Sequence, residues 1–379
     1  ELADRIWKPL GPVITQLETP PRDVAFYMSH TNELFGENAA GWQRFAAYAA
    51  WHEAFMRVGL PVDIIFESQV TDGELSDYDA LFIPFGEVTS QSAHEQIVKF
   101  AENGGKVVAD HNLGYEVPGV QTLRTDLDHM MYPNWAWRRV KNEGEGVTAQ
   151  QRTKAMMDVV DEISEVFAPE LSDQPVPNSF WLIVNQREFE GVPYIFAIND
   201  KREPGDQVGE YETMFERGVP LYNGEITTAG TENIAAVYDL VRHQRVPVET
   251  TSRGVRWNHT YEPAFGTIFA CLPEEIADIE LTVPDDPVLR GEAFDLQVRI
   301  LDTDGNPVRG AIPIEVTIED GQGAKCEYSD YYAATGGVWE MTGHIAINDT
   351  RGPWKVTARD LASGREITEY LRVGQEPQF

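Results

Sequence analysis

The chain has 379 residues, 30 of them basic and 62 acidic, for a formal net charge of −32. A surface this acidic repels phosphate backbones and anionic headgroups, which argues against nucleic acid and membrane surfaces as partners and leaves neutral ligands such as glycans. At about 100–200 residues per domain the length predicts two to four domains, and no stretch reaches the ~18 consecutive apolar residues that a membrane helix needs.

The chain opens on Glu1 with no charged-then-apolar signal segment, which leaves a processed mature form or a piece of a longer protein, and the piece is the expectation because residues 1–21 read as the tail of a preceding domain. Asp23 to Ser29 (DVAFYMS) predicts a first strand. Residues 36–59 predict a helix, because Phe45, Ala49, His52, Phe55 and Met56 recur at helical spacing and Gly59 supplies a stop. Val62 to Phe66 and Tyr78 to Phe85 predict a second and a third strand. Thr89 and Ser90 offer N-caps for a helix through Asn103 whose buried face carries Ile97, Phe100 and Ala101, and Lys106 to Asp110 predicts a fourth strand. Strands separated by helices this long cannot form hairpins and must pair in parallel through crossovers. Runs such as ALFIPF suit strands covered on both faces. A flavodoxin-like, doubly wound parallel sheet follows.

Residues 112–149 form a long stretch rich in Gly, Pro, Asn and charge, and loops of that length commonly carry function. Met156, Val159, Val160, Ile163 and Phe167 then mark one helical stripe that Pro169 ends. From Ser179 the helical period disappears. Phe180–Asn185, Val192–Asn199, Ile234–Leu240, Val246–Thr250 and Phe265–Leu272 have strand length, with turn residues between them. A further six strands are predicted at Ile279–Val283, Phe294–Leu301, Ile312–Ile318, Trp339–Ile347, Trp354–Ala358 and Ile367–Val373, punctuated by the turn Asp302–Pro307. The organisation expected is therefore multidomain α/β plus β: an α/β domain over 1–170, a β-sandwich over 171–276 and an immunoglobulin-like β-sandwich over 277–379.

In a doubly wound sheet ligands bind beyond the carboxyl ends of the strands. Those ends carry Glu87, Asp110 and His111, and the long loop brings Asp128 and His129, a set that could hold a divalent metal or exchange protons. Tyr132, Trp135 and Trp137 in the same loop could stack on sugar rings or plug the loop onto the sheet. Trp257, His259 and Tyr261 make a second aromatic-rich loop open to the same two readings. A nucleophile elbow needs Ser or Cys at a sharp strand-to-helix turn, and the turn Phe85-Gly86-Glu87-Val88 has neither; Glu87 stands near the elbow position. No phosphate-cradling glycine loop occurs and no cofactor is expected. Cys271 and Cys326 are either free thiols or one bridge between neighbouring domains.

Asp77-Tyr78-Asp79-Ala80-Leu81-Phe82-Ile83-Pro84, a helix, and then Glu102-Asn103-Gly104-Gly105-Lys106-Val107-Val108 together resemble the glutamine-amidotransferase-like domain known as the β-galactosidase trimerisation domain. The Pro9-Leu10-Gly11-Pro12 lead-in and the strand from Arg22 to Ser29 are similar too. The resemblance implies a domain that follows a catalytic barrel, lacks the amidotransferase cysteine, helps assemble a trimer and is followed by a β-sandwich. The last unit, with Gly337-Val338-Trp339 and Gly352-Pro353-Trp354, is similar instead to bacterial immunoglobulin-like or macroglobulin-like modules. The function expected is a non-catalytic assembly and substrate-positioning region of a glycoside-hydrolase-like protein, a homo-oligomer with carbohydrate as ligand class. The alternatives are a metal-assisted hydrolase using Glu87, Asp110, His111, Asp128 and His129, and a structural cell-surface or filament protein.

Overall fold

The computed structural model describes residues 3–36, 42–125, 149–201, 221–229, 234–262 and 265–374. It is a mixed assembly of one parallel sheet and several antiparallel ones. Strands β1 (Val24–Met28), β2 (Asp63–Phe66), β3 (Ala80–Ile83), β4 (Lys106–Ala109) and β5 (Gln121–Thr122) pair in parallel in the order β2-β1-β3-β4-β5. The chain direction across the sheet reverses between β1 and β3, which opens a crevice at their carboxyl ends.

Both faces of this sheet are covered. On one, α3 (Trp42–Val58) and α6 (Ala149–Val166) pack Trp51, Phe55, Met156, Val159 and Ile163 against Phe26 and Phe82. On the other, α5 (Gln91–Glu102) packs Ile97 and Phe100 against Leu81, Ile83 and Val107. Helix α5 starts where its cap was expected, with the Ser90 side chain accepting the Ala93 N–H. The helix predicted over 36–59 is differently built. A separate short helix, α2 (His30–Phe35), is capped by Ser29, and α3 begins at Trp42. A further helix, α4 (Glu67–Asp72), follows β2 without a loop.

The middle unit has two antiparallel sheets. One orders β11 (Gln244–Val246), β10 (Ala236–Asp239), β14 (Gly266–Leu272), β8 (Val192–Asn199) and β7 (Leu182–Phe189). The other orders β12 (Glu249–Thr250), β13 (Val255–Tyr261), β9 (Tyr222–Thr227) and β6 (Val176–Pro177). Leu182, Ile195, Val237 and Phe269 of the first share a core with Ile226, Trp257 and Tyr261 of the second. The aromatic-rich loop expected at 257–261 is thus strand β13, whose alternate residues Trp257, His259 and Tyr261 point inward with the period of two that strands impose.

The last unit is one seven-stranded antiparallel sheet, ordered β15 (Asp278–Thr282), β16 (Ala293–Leu301), β19 (Val338–His344), β18 (Asp330–Thr335), β17 (Ala311–Glu319), β20 (Gly352–Asp360) and β21 (Glu366–Val373). In β16 the alternation Phe294, Leu296, Val298, Ile300 is buried throughout. Strand β18, DYYAAT, lacks such alternation and escaped the sequence reading. It joins β19 through the single pair Thr335↔Val338, across a Gly336-Gly337 turn in which both residues have positive φ, a geometry that glycine reaches without strain.

The N-terminal segment departs from its expected place. After the π-helical turn Ala3–Trp7, helix α1 (Lys8–Ile14) lies not on the parallel sheet but on β17 and β18, with Ile6, Leu10 and Val13 inside the core that the middle and last units share. Both cysteines are free: Cys271 is buried in the middle core and Cys326 packs at the edge of the last one.

Candidate functional site

The crevice between β1 and β3 is built from the turns that leave the strands. After β3 the chain passes Pro84 and Phe85, and Phe85 is held at φ +51°, a left-handed value that a bulky residue adopts only under constraint. The constraint is visible on both sides of the residue. Its N–H donates to Asp110 Oδ2 at 2.7 Å, and its carbonyl accepts from Asn32 Nδ2 at 2.6 Å. Asp110 and Asn32 are both buried, and Asp110 also receives the Asn112 N–H at 2.9 Å. Burial pushes the Asp110 carboxyl up from its ordinary range, against those two hydrogen bonds.

Glu67, at the carboxyl end of β2, is the second anchor. Its carboxylate accepts Ser29 Oγ at 2.9 Å, the Thr31 N–H and Oγ1 each at 2.7 Å, and the Ser90 N–H at 3.0 Å. Burial works to raise its pKa, but the hydrogen bonds from Ser90 and Thr31 outweigh it and bring the group down to about 2. One carboxylate thereby ties the turns after β1, β2 and β3 together. Asn32 adds a further tie by accepting the Val88 N–H at 3.2 Å, and Tyr27 OH meets Thr89 Oγ1 at 2.7 Å. The Tyr115 hydroxyl reaches into the crevice beside Gly86, where it is buried and finds no hydrogen-bond partner among the described residues.

The predicted site residues separate on this frame. Asp110 belongs to the crevice, but its carboxylate is occupied by backbone amides. His111 is exposed and shares with Asp110 the rim of a shallow cavity of 640 Å³ that His94, Tyr115 and Thr122 also line. Glu87 is half-buried and lies two residues beyond the strained position, so the elbow is Phe85, an apolar side chain, and not Glu87. Asp128, His129, Tyr132, Trp135 and Trp137 lie outside the described residues. Among the described residues no group of three or more His, Cys, Asp or Glu side chains is placed to hold a metal ion.

Sequence reasoning passed over Glu67, Asn32 and Phe85. A signal for Glu67 existed: like Asp110 it is the first acid after an apolar strand run, VDIIF followed by Glu. Nothing local marks Asn32 or Phe85, whose roles depend on meeting each other.

A second polar cluster lies between the sheets of the middle unit. Asp239 at the end of β10 faces His259 of β13, with Oδ2 and Nε2 3.4 Å apart but without hydrogen-bond alignment. Burial, then the Arg242 charge, pushes His259 down to about 4, so at neutral pH it meets the carboxylate uncharged. The other Asp239 oxygen accepts the Val241 and Arg242 N–H groups. Tyr261 and Phe269 pack their rings against His259, and the Tyr261 hydroxyl is buried with no hydrogen-bond partner among the described residues.

The crevice falls within a stretch that can be placed by comparison. Residues 22–115 match the β-galactosidase trimerisation domain. That match takes in Ser29, Asn32, Glu67, Phe85, Asp110 and Tyr115, so the whole set of ties described above belongs to the trimerisation-domain stretch. Among solved structures the chain is similar to Gan42B, a GH42 β-galactosidase from G. stearothermophilus, at 12% identity and TM-score 0.39 over 66% of this chain and 40% of that one. It is similar to the β-galactosidase from Bacillus circulans sp. alkalophilus at 13% identity and TM-score 0.37, over 66% of this chain and 41% of that one. The α-L-fucosidase isoenzyme 2 from Paenibacillus thiaminolyticus aligns at 11% identity and TM-score 0.42, over 66% and 48%. The chain therefore spans less than half the length of each. No functionally curated sequence matches it. No helix among the described residues is long and apolar enough to cross a membrane.

Proposed function

We propose that this chain is a non-catalytic assembly and substrate-positioning region of a glycoside-hydrolase-like protein of the β-galactosidase type, acting as a homo-oligomer, with a trimer the first expectation and carbohydrate the ligand class. The observation that carries the reading is the occupant of the strained turn. Doubly wound enzymes that work through a nucleophile elbow present a thiol or hydroxyl at that turn; here the position holds Phe85, and the Asp110 and Glu67 carboxylates around it already accept backbone amides. The match of residues 22–115 to a trimerisation domain supports the same reading. The two β units are read as sandwiches that space and orient this domain, the last of them immunoglobulin-like.

A metal that drew on the Asp110 oxygen now holding the Phe85 amide would displace that N–H. Leaving that buried N–H without an acceptor costs about 1–3 kcal/mol before any metal binds. The assembly role is tested by size-exclusion chromatography with light scattering at high micromolar concentration. A mass at a multiple of 42.6 kDa is expected, and a strict monomer overturns the role. The non-catalytic part falls if the chain turns over a glycoside and loses that turnover on Glu87→Gln or Asp110→Asn.

A further inference from the structure

Residues 3–18 touch two units of the molecule before the chain enters a third. Leu10 and Val13 are fully buried and Ile6 nearly so, all in the core that β17 contributes to. Four residues beyond α1, Glu18 exchanges two backbone hydrogen bonds with Glu188 at the end of β7, at 2.8 and 3.0 Å, and so extends the edge of a middle-unit sheet. Arg5 adds a fork onto Glu262 at 3.1 and 3.3 Å, with its guanidinium 4.6 Å above the Phe265 ring. Only then does the chain reach β1.

Without this segment, the last unit is joined to the middle one by the short link between Leu272 and Asp278 and by an apolar joint, where Val192, Tyr238, Ile268 and Leu272 lie in one core with residues of the last sheet. At that joint the buried Tyr194 hydroxyl accepts the Ala311 N–H at 2.7 Å and donates to the Ala311 carbonyl at 2.8 Å, while Tyr238 OH accepts the Ile276 N–H at 2.8 Å. Ile6, Leu10 and Val13 lie in the same core, so the segment adds its own apolar side chains to that joint. We propose that residues 3–18 are a strap: an apolar helix seated on the last sheet and a strand-like tail paired to the middle sheet, which together hold the Tyr194–Ala311 joint closed. The inference rests on packing alone and is independent of the assembly reading.

Hydrogen exchange of the full chain tests it, because local opening is read directly at each amide. The Ala311 amide, which donates to Tyr194 Oη, is the reporter of the joint, and the amides of β3 and β4 are the control. Leu10→Asp places a charge in the core and should accelerate exchange at Ala311 and through β18 about a hundredfold while β3 and β4 keep their protection. Because that variant could unfold the last unit outright, Glu18→Pro is the second arm. It removes the N–H that Glu18 donates to the Glu188 carbonyl and changes no residue of helix α1. Acceleration of about tenfold at Ala311 in Glu18→Pro supports the strap. An Ala311 rate equal to that of the unaltered protein in Glu18→Pro overturns it, whatever Leu10→Asp does.

Discussion

The crevice of the parallel sheet and the inter-sheet core of the middle unit both bury carboxylates, and they treat them in opposite ways. Around Glu67 four donors converge, and the group is driven deep into its ionised form although burial opposes it. At Asp239 one oxygen accepts the Val241 and Arg242 N–H groups and the other has the Arg242 guanidinium 3.9 Å away, aromatic rings pack on His259, and Asp239 Oδ2, His259 Nε2 and the Tyr261 hydroxyl have no hydrogen-bond partner among the described residues. The contrast teaches that burial does not by itself say what a titratable group is for. A buried carboxylate with its lone pairs filled is a rigid joint; one facing an unaligned imidazole marks a place where the fold carries an unrelieved cost.

The largest expected effect is at the rim of the crevice. Gly114 N–H donates to the Gly86 carbonyl at 2.9 Å, and a Cβ at Gly114 would overlap the Glu87 carbonyl oxygen. Gly114→Ala should therefore destabilise by about 3 kcal/mol or more, since backbone must shift to admit the methyl. Denaturant unfolding measures it, and a loss below about 1 kcal/mol would mean the crevice is looser than its hydrogen bonds imply. Next comes Glu67→Gln, which keeps the shape, removes the charge and retains one acceptor oxygen; with two of the four donors left facing an amide NH2 a loss of about 2–4 kcal/mol is expected, read by the same unfolding curve.

Acid sharpens the comparison, because the two regions respond in different windows. Glu67 has an ordinary value of 4.5 and sits at about 2, so its contribution is complete above about 4.5 and is lost as pH falls toward 2. His259 has an ordinary value of 6.5 and sits at about 4. The unfolded chain therefore takes up a proton that the fold refuses, and stability declines as pH falls from 6.5 toward 4. Each shift corresponds to about 3 kcal/mol at its limit. On acidification, hydrogen exchange should rise in β13 before it rises in β3, and an NMR titration of His259 should give a midpoint near 4. A midpoint near 6.5 would erase the distinction between the regions. The smallest effect is expected from Tyr261→Phe. Its hydroxyl has no partner to lose, so the melting temperature should hold or rise slightly. Tyr194→Phe, which abandons the Ala311 amide, should lower it.

Much of the architecture is legible in the chain itself. The apolar runs VAFYM, ALFI and KVVA predict buried parallel strands because a strand covered on both faces has no polar side to display. The alternation in β16 and the stripe along α6 are equally local signals, each a periodicity set by backbone geometry. The site was less legible. Asp110 could be placed at a strand end, but that Phe85 rather than Glu87 takes the strained turn depends on a carboxylate 25 residues away and an amide 53 residues away.

By itself, then, the sequence determined the four long-run strands and the main helices of the first sheet, its parallel character and the lack of Ser or Cys in the turn at 85–88, since periodicity and residue type are properties of neighbours along the chain. The tertiary structure alone decided that Trp257, His259 and Tyr261 face inward, that Glu67 ties three turns together, and that helix α1 lies on β17 and β18 while Glu18 pairs with β7. Those outcomes depend on which surfaces meet after collapse, and hydrogen-bond donors and apolar faces carry no mark along the chain of the distant partner that will fill them.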